Sequence, residues 1–114
     1  MKHSSEIKYV KLNVVRLKEG KREQNTELLI EFFEKINGKV KGLNGYAIMD
    51  NLGDPKETIV LTLWETKEDM DKYYGPENKV LSAFVLKAKP NFERVPERKD
   101  YVISKLDIYQ NFKL

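Results

Sequence analysis

The chain has 114 residues and a mass of 13.4 kDa, enough for one domain and too little for two ordinary ones. Its 40% hydrophobic and 34% charged residues exclude wholesale disorder. With no cysteine and a single histidine, His3, it offers no disulfide, thiolate metal site, cysteine nucleophile, Ser-His-Asp triad or multi-histidine zinc site, and the net charge of +3 is too small an excess to imply nucleic acid.

Residues 1–7 read as a flexible polar tail with no apolar signal-like core, followed by a single domain over 8–114. The longest apolar stretch, Ile59 to Trp64, is far short of the roughly 20 residues that span a bilayer. No membrane partner and a cytoplasmic address are the resulting expectations.

Lys8 to Leu17 is rich in β-branched residues and reads as a strand. Val10, Leu12 and Val14 share one face of it, while Tyr9, Lys11, Asn13, Val15 and Leu17 share the other. After Lys18-Glu19-Gly20-Lys21, the apolar residues Leu28, Leu29, Phe32, Phe33 and Ile36 recur at helical spacing, which predicts an amphipathic helix over 22–37 that stops at Asn37-Gly38. A strand over Gly45–Asn51, a turn at Asn51-Leu52-Gly53-Asp54-Pro55 and a strand over Thr58–Glu65 form an expected hairpin. Thr66 is the expected cap of a short helix that carries Met70, Tyr73 and Tyr74 and breaks at Gly75-Pro76. A further helix is expected over Glu77–Ala88, a long loop over Lys89–Asp100, and a closing strand over Tyr101–Tyr109.

The predicted order is βαββαβ, an α+β ferredoxin-like domain with a four-stranded antiparallel sheet. Helices on one face leave the face of Val10, Leu12 and Val14 to be covered, and two sheets meeting face to face in a homodimer would cover it.

Three segments resemble the antibiotic-biosynthesis-monooxygenase-like family of dimeric α+β barrels, which also includes haem-degrading monooxygenases. They are Leu17-Lys18-Glu19-Gly20 before the first helix, Gly42-Leu43-Asn44-Gly45-Tyr46 leading into the second strand, and Leu61-Thr62-Leu63-Trp64-Glu65-Thr66-Lys67-Glu68-Asp69 from the third strand into a helix. The resemblance implies a homodimeric barrel in which each subunit holds a cleft between sheet and helices. It further implies a small aromatic or quinol-like substrate and oxygen insertion without metal or flavin. Asn13 matches an asparagine of the haem-degrading branch, and Tyr73 stands where that branch has a tryptophan. The histidine that ligates haem there has no counterpart near Ala83 to Val85. Haem is therefore disfavoured unless another ligand, such as a tyrosinate, replaces it.

The resemblance makes Asn13 and Tyr73 the candidate catalytic residues, with Tyr9, Tyr46, Trp64 and Tyr74 as weaker substrate contacts. Each also has a plain structural reading: Asn13 as an amide satisfied by its neighbours, and Trp64 as core. Tyr73 and Tyr74 point about 100° apart on a helix, so one of them is expected to face the cleft. Glu65, Glu68, Asp69 and Asp71 read as solvated helix-start charges, and no metal or other cofactor is expected. The basic residues Lys87, Lys89, Arg94, Arg98 and Lys99 read as a solvated loop. RNA binding lacks its third-strand signature, since residues 57–65 read Glu-Thr-Ile-Val-Leu-Thr-Leu-Trp-Glu. Two alternatives accompany the monooxygenase reading: a non-catalytic ligand-binding dimer, and a haem protein with a ligand other than histidine.

Overall fold

Alternation in the first strand sorts its side chains into two layers. In the computed structural model, which describes residues 6–109, strand β1 runs over Tyr9–Arg16. Lys11, Asn13 and Val15 are buried under the helices, while Val10, Leu12 and Val14 lie half-buried on the opposite, open face. Residues 1–5 of the expected tail, with His3, and residues 110–114 lie outside the described residues.

Helix α1, Arg22–Ile36, buries Asn25, Leu29, Phe32, Phe33 and Ile36, the stripe set by its helical period. Strands β2, Leu43–Asp50, and β3, Glu57–Trp64, form the expected antiparallel hairpin. Its turn is tied by Asn51 Oδ1, which accepts from the Gly53 amide at 2.8 Å, and by Asp54 Oδ1, which accepts from the Lys56 amide at 3.0 Å. Helix α2, Lys67–Tyr73, is capped by Thr66, whose side chain accepts from the Asp69 amide at 3.1 Å. Helix α3, Lys79–Ala88, is capped by Asn78, whose Oδ1 accepts from the Leu81 amide at 3.0 Å. The Asn78 Nδ2 also donates to the Tyr73 carbonyl at 2.9 Å, which fixes α3 against the end of α2.

The last strand differs from expectation. It occupies Glu97–Val102, beginning inside the stretch expected to be loop and sharing only Tyr101 and Val102 with the expected strand, and residues 103–109 are not strand. Val102 pairs with Tyr9, the first residue of β1, so the more apolar segment beyond it has no strand left to pair with. The charged run Glu97-Arg98-Lys99-Asp100 can be a strand because it lies at a sheet edge, where its side chains reach solvent. Pro96, just before this strand β4, suits a strand start, where no ladder donor is needed.

The sheet order is β2-β3-β1-β4, antiparallel throughout, the ferredoxin-like arrangement predicted from the sequence. Between sheet and helices the core gathers around Trp64, Leu17 and Met70, all nearly fully buried. On the open face, the registers place Val10, Leu12 and Val14 beside Leu63, Leu61 and Ile59, with Ala47 and Met49 of β2 next to these. This is a contiguous apolar surface across three strands. No described helix is long and apolar enough to cross a membrane.

Candidate functional site

The helix layer does not fill the sheet completely. A cavity of about 310 Å³ remains between them, of the size that holds a small organic ligand. Its floor is Asn13 and Val15 of β1 with Val60 of β3; α1 supplies Asn25, Leu29, Phe32 and Phe33; Tyr73, Tyr74 and Phe84 form the far wall. Val95, Pro96 and Arg98 complete the lining, and the strong exposure of Val95 and Arg98 marks where it meets solvent. Phe32 and Phe84 stack with ring centroids 4.5 Å apart, so aromatic faces dominate one side.

Asn13 is buried, with both ends of its amide engaged. Its Nδ2 donates to the Val60 carbonyl at 3.0 Å, and its Oδ1 accepts from Arg98 Nε at 3.1 Å. The same guanidinium lies 4.8 Å from the centroid of the Tyr74 ring, within cation–π range. Lys11 approaches that ring as well, at 4.5 Å, while its ammonium pairs with Asp100 at 3.0 Å. Arg98 is thus held on two sides by neutral groups. The reading of Arg98 as a solvated loop charge is corrected: it belongs to β4, opposite Asn13, and lines the cavity.

Tyr73 and Tyr74 both line the cavity, where one was expected. Tyr73 is the last residue of α2 and Tyr74 its C-cap, and two residues at a helix end can flank a cavity that the helix runs across. Their environments differ. The Tyr74 hydroxyl lies 2.9 Å from Thr62 Oγ1, which accepts from Trp64 Nε1 at 2.9 Å, a short polar chain through the core. The Tyr73 hydroxyl is buried with no hydrogen-bond partner among the described residues. Burial pushes the Tyr73 phenol well above its ordinary value, with Tyr74 beside it adding to the effect and Arg98 opposing it. Burial also raises the Tyr74 phenol, against the lowering influence of Thr62, Asn13 and Arg98. Both side chains therefore stay neutral hydrogen-bonding groups around neutrality.

Asn25 was missed by the sequence reading. It is 2% exposed on the inner face of α1, and its Oδ1 has no hydrogen-bond partner among the described residues. Its signal was available: residue 25 lies four before Leu29 and seven before Phe32, so a polar amide occupies a position the period reserves for an apolar side chain.

Trp64, Tyr9 and Tyr46 are not brought to this cavity. Trp64 is fully buried in the core against Tyr73, with centroids 5.3 Å apart. Tyr9 packs at the edge of the same core, and Tyr46 stacks on Phe33 at 4.0 Å from the other side, next to a separate, smaller recess. Among the described residues, no group of three or more His, Asp or Glu is placed to hold a metal.

No protein-family profile matches the sequence, and no curated protein matches it. Solved structures do match the fold. A "putative antibiotic biosynthesis monooxygenase" from Chloroflexus aurantiacus J-10-fl superposes with a TM-score of 0.66 at 16% identity, covering 88% of this chain and 96% of that one. One described in the same words from Caulobacter crescentus CB15 reaches 0.74 at 11% identity, covering 89% and 93%. A conserved protein from Methanosarcina mazei Go1 gives 0.68 at 16% identity, covering 85% and 93%. Similarity at these identities establishes the shared fold, and the family that the sequence resembles is represented among the structures sharing it.

Proposed function

We propose that the protein is a homodimeric, cofactor-independent monooxygenase that acts on a small aromatic, quinol-like substrate in the cavity between sheet and helices. The observation that carries this reading is the lining itself. Aromatic and aliphatic walls surround space for a flat ring, with Asn13, Asn25, Tyr73, Tyr74 and Arg98 as the few polar side chains that would meet the ring's substituents. A substrate that forms a stabilised carbanion or phenolate can react with O₂ directly. The protein's part is then to exclude water, orient the ring and stabilise the oxyanion. Asn13 contributes by fixing Arg98, since its amide oxygen accepts from the guanidinium. Tyr73 supplies a neutral phenol that donates to the substrate or stacks on it.

The open face of the sheet supports the dimer part of the proposal. Leu12, Leu61 and Ala47 lie side by side across β1, β3 and β2, and apolar area of this kind is normally covered by another layer. A second copy presenting the same face would close the two sheets into a barrel.

The test is oxygen uptake by the purified protein with a panel of hydroquinones, no metal, flavin or haem being added. Uptake proportional to protein is expected, slowed severalfold or more in Asn13→Ala without loss of fold. Tight binding of a ring compound with no oxygen uptake would instead identify a non-catalytic binding protein, and a Soret shift on adding haemin would replace cofactor independence with haem chemistry. Native mass spectrometry of the same sample is expected to show a dimer.

A further inference from the structure

The charge inventory of the cavity goes beyond the choice of a flat aromatic substrate. Its polar lining side chains are Asn13, Asn25, Tyr73, Tyr74 and Arg98. The floor strands contribute the neutral Asn13, α1 the neutral Asn25, and the end of α2 the two tyrosines; the lining residues of α3 are apolar. Arg98 of β4 is the one charged group among them. Lys11, which also approaches the Tyr74 ring, is paired with Asp100 at 3.0 Å. Among the described residues no carboxylate lies within salt-bridge distance of Arg98, and its one hydrogen bond, through Nε, goes to a neutral amide oxygen. Its terminal nitrogens are left as donors.

We propose that the cavity takes its ligand as an oxyanion, a phenolate or enolate, and that Arg98 is the residue that selects this form. An unpaired guanidinium beside an apolar slot favours a ligand that brings its own negative charge. A planar fork of donors also matches an aromatic oxyanion better than a neutral ether or hydroxyl. The tyrosines remain protonated and arginine is always charged, so the lining holds a constant charge across the neutral range. The pH dependence of binding therefore follows the ligand's ionisation. The phenolate is also the electron-rich form that reacts with O₂: a quinol and O₂ give the hydroxyquinone and water, all four electrons coming from the substrate, and selecting the anion removes the need for a protein base at the first deprotonation.

This inference rests on the reading of the cavity as a ligand site, and the test separates the two. The probe is 4-nitrophenol, which ionises near neutrality and whose anion absorbs in the visible. Its ionisation is followed by absorbance with and without excess full-length protein. Arg98 stands partly in water, so the expected anion preference is about tenfold, seen as a downward shift of the probe's midpoint by about one pH unit. The neutral isostere 4-nitroanisole is expected to bind about tenfold more weakly than the anion. Arg98→Met should abolish the shift and Arg98→Lys should keep part of it; if Arg98→Met does not fold, the comparison of the two probes on the unmodified protein still decides. Equal binding of the neutral and anionic probes, or an unchanged shift in Arg98→Met, would overturn the inference and leave the cavity as a ligand site. No binding of either probe would overturn both.

Discussion

Asn25 gives the sharpest test of whether the cavity is functional, because a residue kept for binding alone should be a burden on stability. Its Oδ1 is buried without a partner, which in a purely structural protein costs roughly 1–3 kcal/mol of uncompensated desolvation. Asn25→Leu removes that atom, offers a better helix former by a few tenths of a kcal/mol, and places its extra volume toward an existing cavity, so overpacking is avoided. The net expectation is a gain of about 1–2 kcal/mol. For a chain of this length that corresponds to about 4–8 °C in Tm. Urea titration should show a higher midpoint with an unchanged slope. Tyr73→Phe is the companion variant. It deletes the other orphan hydroxyl and keeps the ring that packs on Trp64, so stability is expected to be unchanged or to rise by up to about 1 kcal/mol. Both variants should consume oxygen more slowly. If Asn25→Leu instead lowers the midpoint, the amide is structural, and the argument that it waits for a ligand is refuted.

Two further predictions concern the scaffold. Gly42 has φ +83°, and a Cβ there would meet Asp69 Oδ2 at 2.5 Å and Asp69 Cβ at 2.7 Å. Gly42→Ala is therefore expected to cost about 1–3 kcal/mol, while Gly20→Ala, with a similar φ of +77° but open space around it, should cost only the backbone strain of about 1 kcal/mol; urea titration of both variants would refute the account if they were equal. Arg16 pairs with Asp54 and Glu93, and Lys56 pairs with Glu93, tying β1, the hairpin turn and the segment after α3 together. Hydrogen bonding to Arg16 holds the Asp54 carboxyl below its usual range, and hydrogen bonding to Lys56 does so for Glu93. Carboxylates lowered by folding stabilise the protein above their ordinary ionisation and lose that contribution as pH falls, between about pH 5 and about pH 2. The urea midpoint should decline over that range, and less so in Arg16→Met.

What the sequence revealed and what it hid divide along local and non-local lines. The helical stripe of Leu29, Phe32, Phe33 and Ile36, the Thr66 cap and the alternation around Asn13 are all decided within a few residues, and each is found where the pattern put it. The last strand was misplaced because its location depends on where β1 begins. Val102 meets Tyr9 at the limit of that ladder, and apolar alternation beyond 102 cannot reveal that the partner has run out. Arg98 was lost with it, since only the register that sets Arg98 opposite Asn13 turns a loop charge into a cavity group. Asn25 was legible but overlooked, because a search for apolar periodicity passes over the one position that breaks it.

The same edge strand links the cavity to the proposed dimer. Every residue of β4 is exposed and the strand is held to the sheet by its ladder with β1 alone, so the position of Arg98 depends on how firmly that edge is kept in place. Alternation puts Arg98 toward the cavity and its neighbours Lys99 and Tyr101 on the open face, opposite Leu12 and Val10. A second copy seated on that face would cover Tyr101, now 48% exposed, and would steady β4 from the side away from the ligand. Leu61→Lys, which puts a charge in the middle of the apolar face between Leu12 and Ala47, is expected to yield a monomer in light scattering. Because the mutated side chain points away from the cavity, any loss of ligand affinity must pass through the sheet. A fall of roughly fivefold or more in affinity for the 4-nitrophenol anion is expected, the lower range of couplings between distinct sites. A folded monomer with unchanged affinity would show that β4 is held well enough by β1 alone, and that dimer and cavity are energetically independent.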